Sequence, residues 1–265
     1  MEATGFDLDA YLARVGHGRP GGPSLEVLTS LHEAHVGSIP FENLDVLLGK
    51  PIDLDLPSVQ AKLVTARRGG YCFEQNTLFR GALEAIGFGV TSLAARVRSG
   101  TTTLRPRTHM LLLVDLAGGP FLADVGFGGD GPVHPLPLVV AGDRETSARG
   151  FRLHREGDLW VLSGDAAGPR TDLYAFTLEP HYPVDFEMAN HFTSTHPRSP
   201  FLLTLTVQRS WPTRRVILRG RELTVRDDHG SETTTLRDPD HLLEVLEREF
   251  GISLPPGTRF PVRVF

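Results

Sequence analysis

The apolar pattern of this chain changes period at Gly87, and that break limits the fold more than any other feature. Before it, apolar residues recur at helical spacing. "FDLDAYLARVG" stops at Gly16. "SLEVLTSLHEAHVGSI" places Leu25, Leu28, Leu31, His32 and Val36 near one face, with Ser24 as N-cap. "SVQAKLVTARRGG" and "CFEQNTLFRGALEAIGFG" read as two more helices, each ended by glycine, with Gly87 at the position just past the last turn. After Gly89 come "VTSLAARV", "THMLLLVDL", "PFLADVGF", "GFRLHRE", "DLWVLSG" and "TDLYAFTL". These short runs between Gly, Pro and Asp clusters predict an antiparallel sheet or barrel. "PVDFEMANHFTSTHP" reads as a short helix or an ordered connection. "FLLTLTVQ", "RRVILRG", "ELTVRDD" and the amphipathic "DPDHLLEVLEREFG" follow it. Helices, then strands, then a small mixed segment predict an α+β protein in three parts, over 1–87, 88–182 and 183–265.

The net charge of −5 lacks the basic excess of a nucleic-acid partner. "MEATGFDLDAYL" has neither the basic nor the apolar region of a signal peptide, and "MLLLV" is too short to cross a bilayer. The expectation is a soluble, cytoplasmic protein with no membrane partner. A single cysteine in 265 residues excludes an internal disulfide framework and any Cys-rich zinc site.

Two stretches match G-x-G-x-x-G, at Gly16–Gly18–Gly21 and Gly126–Gly128–Gly131. Neither follows a strand and opens a helix, so both read as turns rather than dinucleotide sites. His32 and His35 lie three apart on a helix, without the H-E-x-x-H pattern, and read as a solvated or core-edge pair. His191 and His196 are equally weak as ligands, and no metal is expected.

Cys72 differs because its neighbours suit thiol chemistry. A cysteine attacks as the thiolate, and a helix N-terminus favours the anion. Gly69 and Gly70 permit a tight turn and the close approach of another molecule. A thiol also needs a base, and the base an orienting partner. His109 opens one apolar strand, and Asp124 lies in the next, where an acid is costly to bury unpaired. If "AGGP" were a simple hairpin turn, Asp124 would fall opposite about Leu113 rather than His109. Contact between the two therefore requires shear, a bulge or a longer loop, and a structural cysteine beside unrelated polar residues stays open as an alternative.

"RRGGYCFEQN", "RTHMLLLV" and "FLADVGFGG", with "IPFENLDVLLG" upstream and "STHPRSPF" downstream, closely resemble the arylamine N-acetyltransferases over about residues 39–201. The resemblance implies Cys72, His109 and Asp124 as a catalytic triad. It also implies a helical bundle carrying the cysteine, a β-barrel carrying the histidine and aspartate, and an α/β lid, around a cysteine-protease-like core. The implied reaction is ping-pong transfer of an acetyl group from acetyl-CoA, through acetyl-Cys72, to an aromatic amine or hydrazine. Thr108, Gly126, Gly128 and Phe201 match positions near coenzyme A, and Phe41 and Phe127 match the acceptor pocket. Arg67 and Arg68 are candidates for cofactor phosphates or plain exposed arginines, while Glu74 and Asn76 are expected to support local turns.

Two features depart from the family pattern. "VRSGTTTLRPR", between Arg96 and Thr108, is short, polar and without an aromatic, and the sequence ends with "TRFPVRVF". Related amide synthases use the same triad to close macrolactams on polyketides delivered by a carrier protein, which is the alternative reading. A hydrolase with water as acceptor and a non-catalytic binding module are the remaining ones.

Overall fold

A computed structural model describes residues 5–260 of the chain apart from 100, 102, 139–145, 149 and 166–168. Helix α1 (Leu8–Val15) is capped by Asp7 and ends at Gly16 in the left-handed region. Helix α2 (Leu25–Ser38) begins at Ser24 as expected and buries Leu28, Leu31, His32, His35 and Val36. Leu25 instead stays exposed. Strand β1 (Phe41–Glu42) and helix α3 (Leu44–Leu47) follow. Helix α4 (Leu56–Gln60) then widens into a π-helical turn over Ala61–Thr65.

That helix does not end on glycine as its sequence suggests. It stops at Ala66, and Arg67 takes the left-handed conformation at φ 52°. Gly69 and Gly70 serve close packing within the chain itself, not an incoming molecule. A Cβ on Gly69 would strike the Pro40 carbonyl, and one on Gly70 would lie 2.6 Å from Glu74 Oε2. Helix α5 (Cys72–Ile86) starts immediately after this packed turn. Glu74 accepts the Tyr71 N–H at 3.1 Å, and Gly87 closes the far end at φ 104°.

Strands β2 (Gly89–Val97), β3 (His109–Asp115), β4 (Phe121–Ala123), β5 (Leu136–Pro137), β6 (Thr146–Ala148), β7 (Phe151–Glu156), β8 (Leu159–Gly164) and β9 (Thr171–Phe176) form one antiparallel sheet. Its order is β5-β4-β3-β2-β9-β8-β7-β6. Among the described residues no ladder joins β5 to β6, so the expected barrel is an open half-barrel. Its edge strands β5 and β6 are two and three residues long. The run "MLLLV" is apolar throughout because β3 is buried on both faces. Met110, Leu112 and Val114 join the core that α2 and α5 share, whereas Leu111 packs with Leu93, Leu122 and Trp160 behind the sheet.

Helix α6 (Pro183–Thr195) resolves the ambiguous connection as a helix. The predicted strand "FLLTLTVQ" begins late. Pro200–Leu202 form a 3₁₀ turn, and the Asn43 amide holds the carbonyls of Phe201 and Thr204 at 2.8 and 2.9 Å. Only β10 (Thr206–Ser210) is extended. It pairs with β1 and with β11 (Arg214–Arg219), and β12 (Glu222–Asp227) and β13 (Gly230–Thr235) complete a five-stranded antiparallel sheet. Helix α7 (Pro239–Phe250) lays Leu242, Val245, Leu246 and Phe250 on it. The whole is α+β with two antiparallel sheets. Among the described residues no helix is long and apolar enough to cross a membrane.

Candidate active site

Cys72 is the first residue of α5, 3% exposed, and its Sγ lies 3.6 Å from the Thr108 carbonyl. Buried charges hold the turn before it. Lys62 bridges Asp45 at 2.9 Å and Glu74 at 2.7 Å, and Arg68 pairs with Glu42 at 2.7 Å and Asp45 at 3.2 Å. Arg68 is therefore an internal counter-ion, neither exposed nor free for a phosphate, while Arg67 is exposed. Burial pushes Glu74 up to about 7 against the pull of Lys62.

His109 opens β3, and Asp124 follows directly on β4. The ladder pairs Leu112 with Ala123 and Val114 with Phe121, so the connection is longer than a bare "AGGP" turn. Continued by one residue, this register sets Asp124 level with Leu111, on the same side of β3 as His109. The register expected for a simple hairpin, opposite Leu113, is shifted by two residues. The shift brings the groups into contact: His109 Nε2 lies 2.7 Å from Asp124 Oδ2. Asp124 Oδ1 accepts from the Gly126 N–H at 3.0 Å and from Asn76 Nδ2 at 3.2 Å. With Nε2 engaged, Nδ1 is the imidazole nitrogen open to Cys72, which lies within hydrogen-bond reach of the ring.

Burial alone would make His109 a poorer base. The charge and hydrogen bond of Asp124 override it, Cys72 adds to them, and the ring is pushed up to about 10. Burial would likewise raise Asp124, but His109, Asn76 and the Gly126 N–H hold it below its ordinary value.

A cleft of about 980 Å³ opens over Cys72 and His109. All six residues assigned by resemblance to cofactor or acceptor line it: Phe41, Thr108, Gly126, Phe127, Gly128 and Phe201. Phe127 meets the His109 ring edge-on at 5.3 Å, and Phe41 lies 6.0 Å from Phe201. Gly126 is required by close packing, since a Cβ there would sit 2.8 Å from Cys72 Cα. Gly128 adopts φ 77°, which favours glycine. The polar 96–108 loop forms one wall through Leu104 and Arg105. The exposed guanidinium groups of Arg105, Arg198 and Arg219 stand where the cleft meets solvent.

Several residues of the site had no local signal. Tyr174, fully buried on β9, packs against His109 at 4.9 Å and Phe127 at 5.2 Å. Burial and the Asp124 charge push its phenol far above the ordinary value. Asn76, expected to support turns only, reaches the carboxylate itself. His32 and His35 are fully buried rather than at the core edge, because both rings pack on Phe79. His191 is exposed and His196 stacks on Phe192, far from metal-site geometry. Among the described residues no group of three His, Cys, Asp or Glu is placed to hold a metal ion.

The family model described as N-acetyltransferase matches residues 24–258. The arylamine N-acetyltransferase of Mycolicibacterium smegmatis is 41% identical over 94% of this chain and 93% of its own length. The Nocardia farcinica arylamine N-acetyltransferase structure superposes with a TM-score of 0.87 at 42% identity, over 96% of this chain and 92% of that one. The Mycobacterium marinum arylamine N-acetyltransferase, solved in complex with CoA, gives 0.85 at 36% identity over 93% of each chain. A buried Cys–His–Asp constellation under an aromatic cleft, on a chain that matches these relatives along nearly its whole length, leads to one conclusion: the protein belongs to the arylamine N-acetyltransferase family.

Proposed function

We propose that the protein moves an acetyl group from acetyl-CoA to an arylamine or arylhydrazine by a ping-pong mechanism through acetyl-Cys72. The observation that carries this reading is the His109 ring, held by Asp124 at 2.7 Å with its other nitrogen open to Cys72. In the first half-reaction His109 takes the Cys72 proton, and the sulfur attacks the acetyl carbonyl. The tetrahedral oxyanion is stabilised in part by the Cys72 backbone N–H at the start of α5. The C–S bond to coenzyme A then breaks, and the leaving thiolate takes the proton back from His109. In the second, the amine nitrogen attacks the thioester, His109 accepts its proton, and the Cys72 thiolate leaves and is reprotonated. Asp124 holds the imidazole in one tautomer and balances its charge throughout.

The cleft supports both substrates. Phe41 and Phe127 offer apolar surface in the cleft over Cys72 for an aromatic ring, Phe201 lines the same cleft for coenzyme A, and Arg105, Arg198 and Arg219 offer cations at the mouth for its phosphates. The CoA complex of the Mycobacterium marinum relative supports the same donor. Incubation with acetyl-CoA and no amine tests the reading. One acetyl group is expected per chain, on the peptide containing Cys72, and none in Cys72→Ala. An unmodified Cys72 in a folded protein that still turns over would overturn it.

A further inference from the structure

His32 and His35 stand one turn apart on α2, both fully buried, and no step above uses either. A buried imidazole is costly unless its nitrogens are partnered, and an apolar ring of similar size would avoid that cost. The partners of these two rings lead to opposite ends of the Cys72–His109–Asp124 constellation.

His32 serves the acid. Its Nε2 accepts the backbone N–H of Asp124 at 3.2 Å. Asp124 lies just past the end of β4, where the sheet ladder no longer supplies an acceptor for that N–H. A nitrogen that receives an N–H carries no proton, so the ring proton of His32 sits on Nδ1, which is buried with the Val133 backbone as its polar neighbour but without a hydrogen bond of ordinary geometry. The ring is held from the side by Phe79, edge-on at 5.7 Å.

His35 serves the nucleophile. Its Nε2 is 2.7 Å from Gln75 Oε1, and its Nδ1 is 3.0 Å from the Tyr11 hydroxyl. This contact fixes the orientation of the Gln75 amide. Its Nε2 then donates to the carbonyls of Pro40 at 2.8 Å and Gly70 at 3.2 Å. Pro40 is the residue against which Gly69 packs, and Gly70 leads through Tyr71 into Cys72. His35 meets the same Phe79 ring at 5.3 Å, so one aromatic side chain wedges both histidines.

We propose that His32 and His35 are positioning residues for acyl transfer. His32 fixes the backbone that aims Asp124 at His109, and His35, through Gln75, fixes the turn that presents Cys72. The proposal rests on the acyl-cysteine reading above. Neither ring touches a reacting atom. Both work as neutral imidazoles, because the acceptor role of His32 and the donor–acceptor role of His35 each need one bare nitrogen. Burial keeps them so, pushing His32 down to about 4 and His35 to about 3.

The test compares Phe, Gln and Asn at each position in the full-length protein. A phenyl ring keeps the volume and loses the nitrogens. Gln carries an amide about as far as the imidazole Nε2, and Asn carries the same amide one methylene short. The readouts are single-turnover acetylation of Cys72 by acetyl-CoA without amine, thermal melting, and the NMR signal of the His109 ring proton shared with Asp124.

His32→Phe and His35→Phe are expected to acetylate about 10- to 100-fold more slowly, within the range for leaving a buried donor or acceptor unsatisfied. His32→Phe alone should displace the His109 ring-proton signal. The Gln variants should recover to within about threefold of the parent, and the Asn variants should not. If a Phe variant fails to fold, the contrast between Gln and Asn at that position decides the question. Phe variants that melt like the parent and acetylate as fast as it does overturn the proposal and leave the acyl-cysteine reading intact. Gln variants no faster than their Asn counterparts do the same. A parent protein that forms no acetyl-Cys72 overturns both.

Discussion

The side-chain amide of Asn76 donates to the carboxylate of Asp124 at 3.2 Å, so the helix that begins with Cys72 also grips the acid that orients His109. The same amide donates to the Met110 carbonyl at 2.8 Å, and its oxygen accepts the Val125 N–H at 3.3 Å. One side chain thus ties α5 to β3 and to the segment after β4.

Asn76→Ala should therefore lose activity as well as stability. It leaves the Met110 carbonyl and the Val125 N–H without their side-chain partner and removes a charge-assisted bond, each worth roughly 1–3 kcal/mol. The expected result is acetylation of Cys72 slowed by about tenfold or more, since 1.36 kcal/mol is tenfold in rate. Stopped-flow release of coenzyme A at a temperature where the variant is fully folded checks it. A folded variant with the parent's rate would contradict the role given to Asn76.

Phe127 should act on only one half of the reaction. Its ring stands edge-on to His109 and lines the cleft, where an acceptor ring would gain from packing against it. An aromatic pair contributes about 0.5–1.5 kcal/mol beyond the buried area. Phe127→Leu should weaken arylamine turnover by about three- to tenfold while leaving acetylation by acetyl-CoA nearly unchanged. Equal losses in both half-reactions, measured separately, would place Phe127 in support of His109 rather than of the acceptor.

The helix-to-strand break was legible in the sequence because it has local causes, whereas Cys72, His109 and Asp124 were legible as separate candidates that only the resemblance joined. Gly87 ends a helix, "MLLLV" fits a strand buried on both faces, and an acid among apolar residues calls for a partner. What stayed hidden depends on contacts distant in the chain. His32 and Asp124 are 92 positions apart, and nothing near either one announces the other. The Gly69–Gly70 pair showed that a close approach was needed, but not that Pro40 and Glu74 would be the approaching groups. Arg68 gave no sign of the buried Glu42 and Asp45 that bind it. The β3–β4 register turned on loop length, which residue counting misjudged by two. Strand β13 is a fully exposed edge of Ser, Glu and Thr, so it shows no apolar alternation at all.

Acid should expose the buried histidines. An imidazole held neutral only in the folded state adds stability above its ordinary value of 6.5, and that stability is lost as the pH falls below 6.5 towards the folded value. Burial holds His35 at about 3, so across the whole interval from 6.5 downwards the unfolded chain binds the extra proton. The stability gap between the parent and His35→Gln should narrow on acidification from pH 7 to 4.5, by up to about 1.4 kcal/mol per pH unit. Urea unfolding at a series of pH values checks this, and parallel curves for the two proteins would contradict it.

Acetyl-Cys72 is expected to lie on the path to product, and the kinetic competence of that adduct is the decisive measurement. Acetyl-enzyme prepared with acetyl-CoA and freed of excess donor is mixed with aniline, a hydrazide, an aliphatic amine or buffer alone, and loss of the acetyl group from Cys72 is followed by mass spectrometry. The expected result is discharge by the aniline or hydrazide at least as fast as steady-state turnover and far faster than by water, with one acetylated amine formed per thioester lost. An adduct that persists while the same protein turns over acetyl-CoA and amine, or that leaves no faster with any amine than with water, would contradict the account.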